Sequence, residues 1–115
     1  MSGERAALMK RRARTFLEMA KLLVERGEYD VAAFALEQAA QLRIKSLLLR
    51  LFGEAPRIHS VRELLGVLSA RLEEAGFPGL AEEVRRYAAD NRGLLWLLED
   101  AYTTVRYGVR KYTER

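Results

Sequence analysis

The sequence predicts an all-α fold, an up-and-down bundle of four to five helices around a central buried helix at about residues 29–52. Three observations predict it. Residues 29–52 are long and almost continuously apolar, and elsewhere apolar residues recur at spacings of three and four. Glycine or proline separates each of these segments from the next. One domain is expected over residues 1–115, with a core at about 10–108 and a basic tail at 109–115.

The central segment carries two apolar stripes when its residues are placed at intervals of 100°. The narrow stripe consists of Val31, Ala35, Leu42 and Leu49. The broad stripe consists of Ala33, Leu36, Ala40, Ile44, Leu47 and Leu51. Polar residues, including Glu37, Gln41 and Ser46, are expected to run between the two stripes. A helix with two apolar stripes is either enclosed inside a bundle or shared with another subunit.

The first helix is predicted over about residues 4–26. Its apolar seam consists of Met9, Ala13, Phe16, Ala20 and Leu23. Its first half also carries a basic end, made of Lys10, Arg11, Arg12 and Arg14, which is either a solvated surface or a phosphate-attracting one. Gly27 ends the helix because glycine adopts positive φ easily. The following turn is short, so the first two helices should be antiparallel neighbours.

The third helix is predicted to start at Val61, because Ser60 and Glu63 form a capping box. Gly76 closes it. Pro78 suits the first turn of a shorter fourth helix. The residues predicted to face inward from that helix are Leu80, Val84, Tyr87 and Ala88.

The last helix is predicted from Leu94 to about Tyr107, after a break at residues 90–93. Its seam consists of Leu94, Leu98, Ala101 and Val105. Trp96 falls on another face, where an indole either anchors an interface or makes a further contact within the bundle. The position of Trp96 away from the seam and the two apolar stripes of the central helix together predict a symmetric homodimer. The interface candidates are Trp96, Leu36, Leu47 and Ile44.

Composition excludes several classes of function. The chain has no cysteine, which excludes a disulfide framework and thiolate sites and fits a reducing compartment. We find neither a signal peptide nor a membrane span, so a soluble, cytoplasmic protein is expected. The net charge is +4, with 16 Arg against 4 Lys. Because these charges are interleaved with glutamate, a source organism that prefers arginine codons or lives at high temperature is favoured over a nucleic-acid role.

The sequence contains no strong catalytic constellation. His59 is the only histidine, and a loop histidine bonded to nearby backbone is favoured over a catalytic base. Glu99 and Asp100 are adjacent on a helix and point about 100° apart, so they cannot clamp one metal ion. No glycine-rich phosphate loop is present. We therefore expect no catalytic residue, no metal and no cofactor.

Two stretches carry a resemblance to a known family, FALEQAAQLRIKSLLLRLFGEAPRIHSVRELL and LEDAYTTVRYG. They resemble the HEPN family (higher eukaryotes and prokaryotes nucleotide-binding) over about residues 10–108. The likeness rests on the alanine-rich helix through Lys45, the short loop to His59, and Tyr102 with Arg106 and Tyr107. It implies an all-helical bundle, commonly dimeric. Many members accompany a minimal nucleotidyltransferase in toxin–antitoxin or defence-like pairs, and others are ribonucleases.

The family's ribonuclease motif is absent. In ribonuclease members, an arginine precedes a histidine by four to six intervening residues, whereas the matching positions before His59 hold Phe52, Gly53 and Glu54. The favoured function is thus a non-catalytic dimeric accessory subunit that holds a nucleotide or positions substrate for a nucleotidyltransferase. The alternatives are a ribonuclease that uses Arg106, Tyr102 or His59, and a helical scaffold without a ligand site.

The predicted ligand or partner site consists of Tyr102, Arg106 and Tyr107, with Lys45 and His59 as further members. Tyr102 and Arg106 lie one helical turn apart and share a face. An arginine fork beside a phenol can grip phosphate while the ring stacks on a base or a partner side chain. The alternative is an internal ion pair between Arg106 and a carboxylate such as Glu37.

Overall fold

A computed structural model describes the backbone of residues 2–107 and the side chains of residues 3–101. Over this range the chain forms five α-helices. They are α1 (Ser2–Glu25), α2 (Tyr29–Phe52), α3 (Val61–Glu74), α4 (Pro78–Asp90) and α5 (Arg92–Tyr107). The described range contains no β-strand. The predicted all-α bundle is therefore confirmed, and the bounds of its central helix agree with the prediction.

The first two helices form the predicted antiparallel hairpin. Gly27 has a φ of 77°, and the Glu28 N–H donates to the Leu23 carbonyl at 2.9 Å. At the far end of the hairpin, the Ser46 hydroxyl donates to the Ala6 carbonyl at 2.8 Å. Buried alanines occupy both helices at Ala6, Ala13, Ala20, Ala32, Ala35 and Ala39. Because alanine extends only to Cβ, the two backbones can approach closely here.

The other helices begin and end at local signals. Gly53 ends α2 at a φ of 83°, and its N–H donates to the Leu49 carbonyl at 2.9 Å. Ser60 caps α3, since its hydroxyl oxygen accepts the Glu63 N–H at 3.1 Å. Two clusters of buried side chains join these helices to the bundle, namely Leu48, Leu64, Leu68, Leu72 and Ala81, and Val61, Leu65 and Leu95.

The structure buries polar side chains of α2 and exposes part of its broad apolar stripe. Glu37, Gln41 and Ser46 are buried, whereas Leu36 and Leu51 from the broad apolar stripe are exposed. The reason is that α2 contacts α1, α3 and α5, so polar side chains on more than one of its faces lie against a neighbouring helix. Its buried polar groups are accommodated because they bond to one another and to backbone carbonyls.

Three side chains predicted to face inward from α4 and α5 do not. Leu80, Tyr87 and Leu94 are all exposed. The inward face of α4 is formed by the half-buried Val84 and Ala88, as predicted, together with Ala81, which is fully buried. These three residues recur at spacings of three and four, and the small Ala81 lets α4 lie against α3. The larger neighbours are therefore displaced to the surface.

On α5, Leu98 and Ala101 are buried as predicted, while Val105 lies outside the described side chains. This helix begins two residues earlier than predicted, at Arg92. Within the described residues, no helix combines the length and apolar content that crossing a membrane requires.

Candidate functional site

A polar cluster lies where α2, α5 and the loop before α3 meet. We define this polar cluster as Glu37, Gln41 and Lys45 of α2, Ser60 of the loop, and Glu99 of α5. The three α2 residues are four positions apart, so they project from one face of the helix. The loop and α5 pack against that face, which explains how polar residues come to line an interior surface.

Glu37 is the centre of this cluster and has no exposed surface. One of its carboxylate oxygens accepts a hydrogen bond from the Gln38 amide at 2.9 Å, and the other accepts one from the Gln41 amide. The Gln41 amide nitrogen also donates to the His59 carbonyl at 2.9 Å. This chain of bonds holds the loop before α3 against the central helix.

Burial changes the protonation of both charged α2 residues. It raises the pKa of Glu37 above its ordinary value, against the opposing effects of the Gln41 and Gln38 amides and of Lys45. Burial likewise lowers the pKa of Lys45, and the nearby Glu37 carboxylate opposes that shift. Glu37 and Lys45 therefore each favour the charged form of the other in a partly desolvated setting.

The outer edge of the cluster carries an aromatic side chain and a cation. The Ser60 hydroxyl donates to the Glu99 carboxylate at 2.7 Å, and the same oxygen lies 3.4 Å from an Arg62 guanidinium nitrogen. The Arg62 guanidinium carbon is 5.0 Å from the ring centroid of Trp96, within the range of a cation–π contact. Trp96 is 54% exposed, so this pair is available to a partner.

The polar cluster is built for support rather than for acid–base chemistry. A general acid or base must come within hydrogen-bond reach of a reacting atom. Glu37 is fully buried, and both of its oxygens are already bonded to amides of α2. Among the described residues, no group of three metal-ligating side chains comes together. Glu37 therefore holds the loop and α5 in position and is not placed to reach a substrate.

The predicted site residues fall into two groups. Lys45 belongs to the polar cluster, and His59 contributes its backbone carbonyl to it while its side chain is exposed. Tyr102, Arg106 and Tyr107 belong to the α5 backbone, and their side chains lie outside the described residues. Their role in binding stays a prediction, as does the alternative pairing of Arg106 with Glu37.

The four interface candidates have different surroundings. Trp96 and Leu36 are exposed, at 54% and 39%. Ile44 and Leu47 are half-buried and pack against the core cluster that contains Leu48 and Leu64. The homodimer stays a prediction, and of the four side chains Trp96 and Leu36 offer the most surface to a partner.

Sequence reasoning missed Glu37, Gln41 and Glu99 as members of a site. Their signal was present in the regular spacing of Glu37, Gln41 and Lys45, which places three polar residues on one helical face. That spacing suits an exposed polar face equally well. Only the positions of α5 and the loop decide between the two.

Comparison with known proteins adds one finding. The family model described as HEPN domain matches residues 6–115, which is nearly the whole chain. No curated protein and no solved structure gives a match.

Proposed function

The chain belongs to the HEPN domain family, and from this premise we propose that it is a non-catalytic, dimeric accessory subunit. In this role it holds a nucleotide, or positions a substrate, for a partner minimal nucleotidyltransferase. The observation that carries the proposal is the place of the only histidine. His59 lies in the loop before α3, and its carbonyl is bonded to Gln41 of the central helix.

This placement supports binding over catalysis. Ribonuclease chemistry needs groups that remove a proton from the attacking hydroxyl and return one to the leaving oxygen. The positions before His59 that would hold the family's arginine are Phe52, Gly53 and Glu54. Gly53 has a φ of 83°, a conformation in which an arginine would be strained. The chain therefore lacks the paired side chains on which the family's ribonucleases depend.

In this proposal the binding groups are Arg106 and Tyr102, helped by Tyr107. The guanidinium of Arg106 would hold phosphate through paired hydrogen bonds. The Tyr102 ring would stack on a base. Lys45 would add positive charge from the polar cluster, where its charge is already balanced against Glu37.

The proposal is tested with Arg106→Ala, using a fluorescent ATP analogue as the probe. We expect nucleotide binding to weaken by at least about tenfold, the effect of losing a charge-assisted contact. The melting temperature should stay nearly unchanged. Arg92→Ala is the matched control, because Arg92 is an exposed arginine of the same helix.

Two results would contradict this assignment. A large fall in melting temperature with nucleotide binding intact would identify Arg106 as a structural residue. Cleavage of a quenched fluorescent RNA by the chain, abolished in His59→Ala, would replace the accessory role with the ribonuclease alternative.

A further inference from the structure

An open crevice runs along the hairpin of α1 and α2 and contains two adjoining grooves. The first has a volume of about 470 Å³ and extends to α4 and α5. The second has a volume of about 290 Å³ and lies between α1 and α2 alone. The two grooves share Leu17 and Leu36, so they form one continuous surface.

The floor of this crevice is apolar and uncovered. Leu17 is 41% exposed and Leu36 is 39% exposed, and Leu94 and Tyr87 extend the same surface onto α5 and α4. Between them lie alanines, which leave room for another side chain to enter. Contiguous exposed apolar surface of this kind marks an interaction site.

In the described part of the chain, every charged residue that lines the crevice is a cation. Lys10, Arg14 and Arg43 line the first groove, and Lys21 lines the second. No aspartate or glutamate among residues 3–101 lines either groove. None of these four cations forms an ion pair with another residue in the described part of the chain. The occupant that complements this surface is both apolar and acidic.

We propose that the crevice docks an acidic amphipathic helix of a partner protein. The lining of α1 extends from Lys10 to Val24, about 21 Å along the helix axis. That length accommodates a helix of about 14 residues, which would place apolar side chains at every third or fourth position onto the floor. Its flanking carboxylates would meet the four cations.

Charge favours an acidic partner helix over a second copy of the chain and over the chain's own residues 109–115. A two-fold interface pairs a patch with itself, so a second copy in the crevice would bring two sets of four unpaired cations together. Residues 109–115 of the chain carry Arg110, Lys111 and Arg115 against Glu114, and the same repulsion applies to them. The proposal goes beyond the accessory role described above, since it requires neither a nucleotide nor a nucleotidyltransferase.

The test uses two designed helical peptides of about 14 residues. Both carry leucine at alternating spacings of three and four, and they differ only in having glutamate or lysine at the flanking positions. Binding of each peptide to the full chain is measured by fluorescence anisotropy. We expect the glutamate peptide to bind at least about tenfold more tightly, with an affinity that falls as salt is added.

Paired substitutions locate the binding surface. Arg14→Glu combined with Arg43→Glu should weaken binding of the glutamate peptide by at least about tenfold. The control is Arg11→Glu combined with Arg12→Glu, which makes the same change in net charge at exposed positions of α1 outside the crevice. Leu36→Gln should also weaken binding, whereas Leu22→Gln, at an exposed leucine outside the crevice, should not.

Several results would overturn the proposal. They include equal affinity for the two peptides, no binding of the glutamate peptide, and the same loss in the Arg11 and Arg12 control. A dimer that Leu36→Gln converts to monomer would make a second copy the occupant. Vesicles of phosphatidylcholine and phosphatidylglycerol that compete with the peptide through Arg14 and Arg43 would make it a lipid surface. The accessory role is tested by nucleotide binding and the crevice by peptide binding, so the two proposals fail independently.

Discussion

Glu37 has its carboxylate fully buried among amides, and this position links its protonation to folding. Because burial raises its pKa in the folded protein, the folded state binds the proton more tightly than the unfolded chain does. The resulting stability is fully present below the ordinary pKa of 4.5. This stability is lost as the pH rises through the raised pKa of Glu37 in the folded protein.

We predict that Glu37→Gln removes this pH dependence. As the pH rises above about 4.5, the wild-type free energy of unfolding should fall relative to that of the variant, because Glu37 loses its proton in a buried position. Urea unfolding across this range measures both curves. Glu82→Gln, at an exposed glutamate of α4, is the control and should follow the wild type. Parallel curves for Glu37→Gln and wild type would show that Glu37 titrates as it does in the unfolded chain.

The limits of prediction are also visible at the residue scale. The Ser60 cap and the glycine turns were predictable, since each depends on residues close together in sequence. The burial of Glu37 and the exposure of Tyr87 were not, because they depend on which neighbours enclose each helix. Periodicity shows that a helix has faces, but it does not assign a neighbour to each face. The meeting of Lys45 and His59 at one polar cluster also depends on contacts between residues distant in sequence, so periodicity could not predict it.

At the scale of elements, the α1–α2 hairpin depends on small side chains. Ala35 is 3% exposed and does not line the crevice. It precedes Ser46 by about three helical turns, so it lies on the same face of α2 as the Ser46 hydroxyl that bonds to Ala6 of α1. A larger side chain at this position has to push the two helices apart or adopt a strained rotamer. Substitution of Ala35 by leucine should therefore destabilise the hairpin far more than the same substitution at an exposed alanine of α1 or α2.

We predict that Ala35→Leu lowers the free energy of unfolding by about 1–3 kcal/mol. Ala7→Leu adds the same atoms at an exposed position of α1 and should change stability by less than about 0.5 kcal/mol. Chemical unfolding followed by circular dichroism measures both. Equal effects of the two substitutions would mean that the helices do not pack closely at Ala35.

At the scale of the whole molecule, two separate surfaces are available for partners. The crevice is cationic and unsuited to self-association. The edge formed by Trp96 and Arg62 combines an exposed aromatic ring with a guanidinium that Glu99 also contacts. Aromatic residues and arginine are the types that most often anchor interfaces. The proposed homodimer is therefore assigned to the α5 edge, which leaves the crevice open.

We predict a mass of about twice 13.2 kDa by light scattering at micromolar concentration. Trp96→Ala should shift the population toward monomer, with a dissociation constant raised at least about tenfold, as for an interface anchor. Leu80→Ala, at an exposed apolar residue of α4, is the control. A wild-type mass of one chain would remove the dimer, and a dimer insensitive to Trp96→Ala would move its interface elsewhere.

The second groove of the crevice has a consequence for the chain during its synthesis. Its described walls all come from residues 17–36, so they leave the ribosome before α3, α4 and α5 do. At about 5–20 residues per second, a ribosome needs several more seconds to reach the end of α5. Its apolar side chains are thus exposed on the nascent chain before the core beneath α3 exists. A partner already present at translation would meet this surface first.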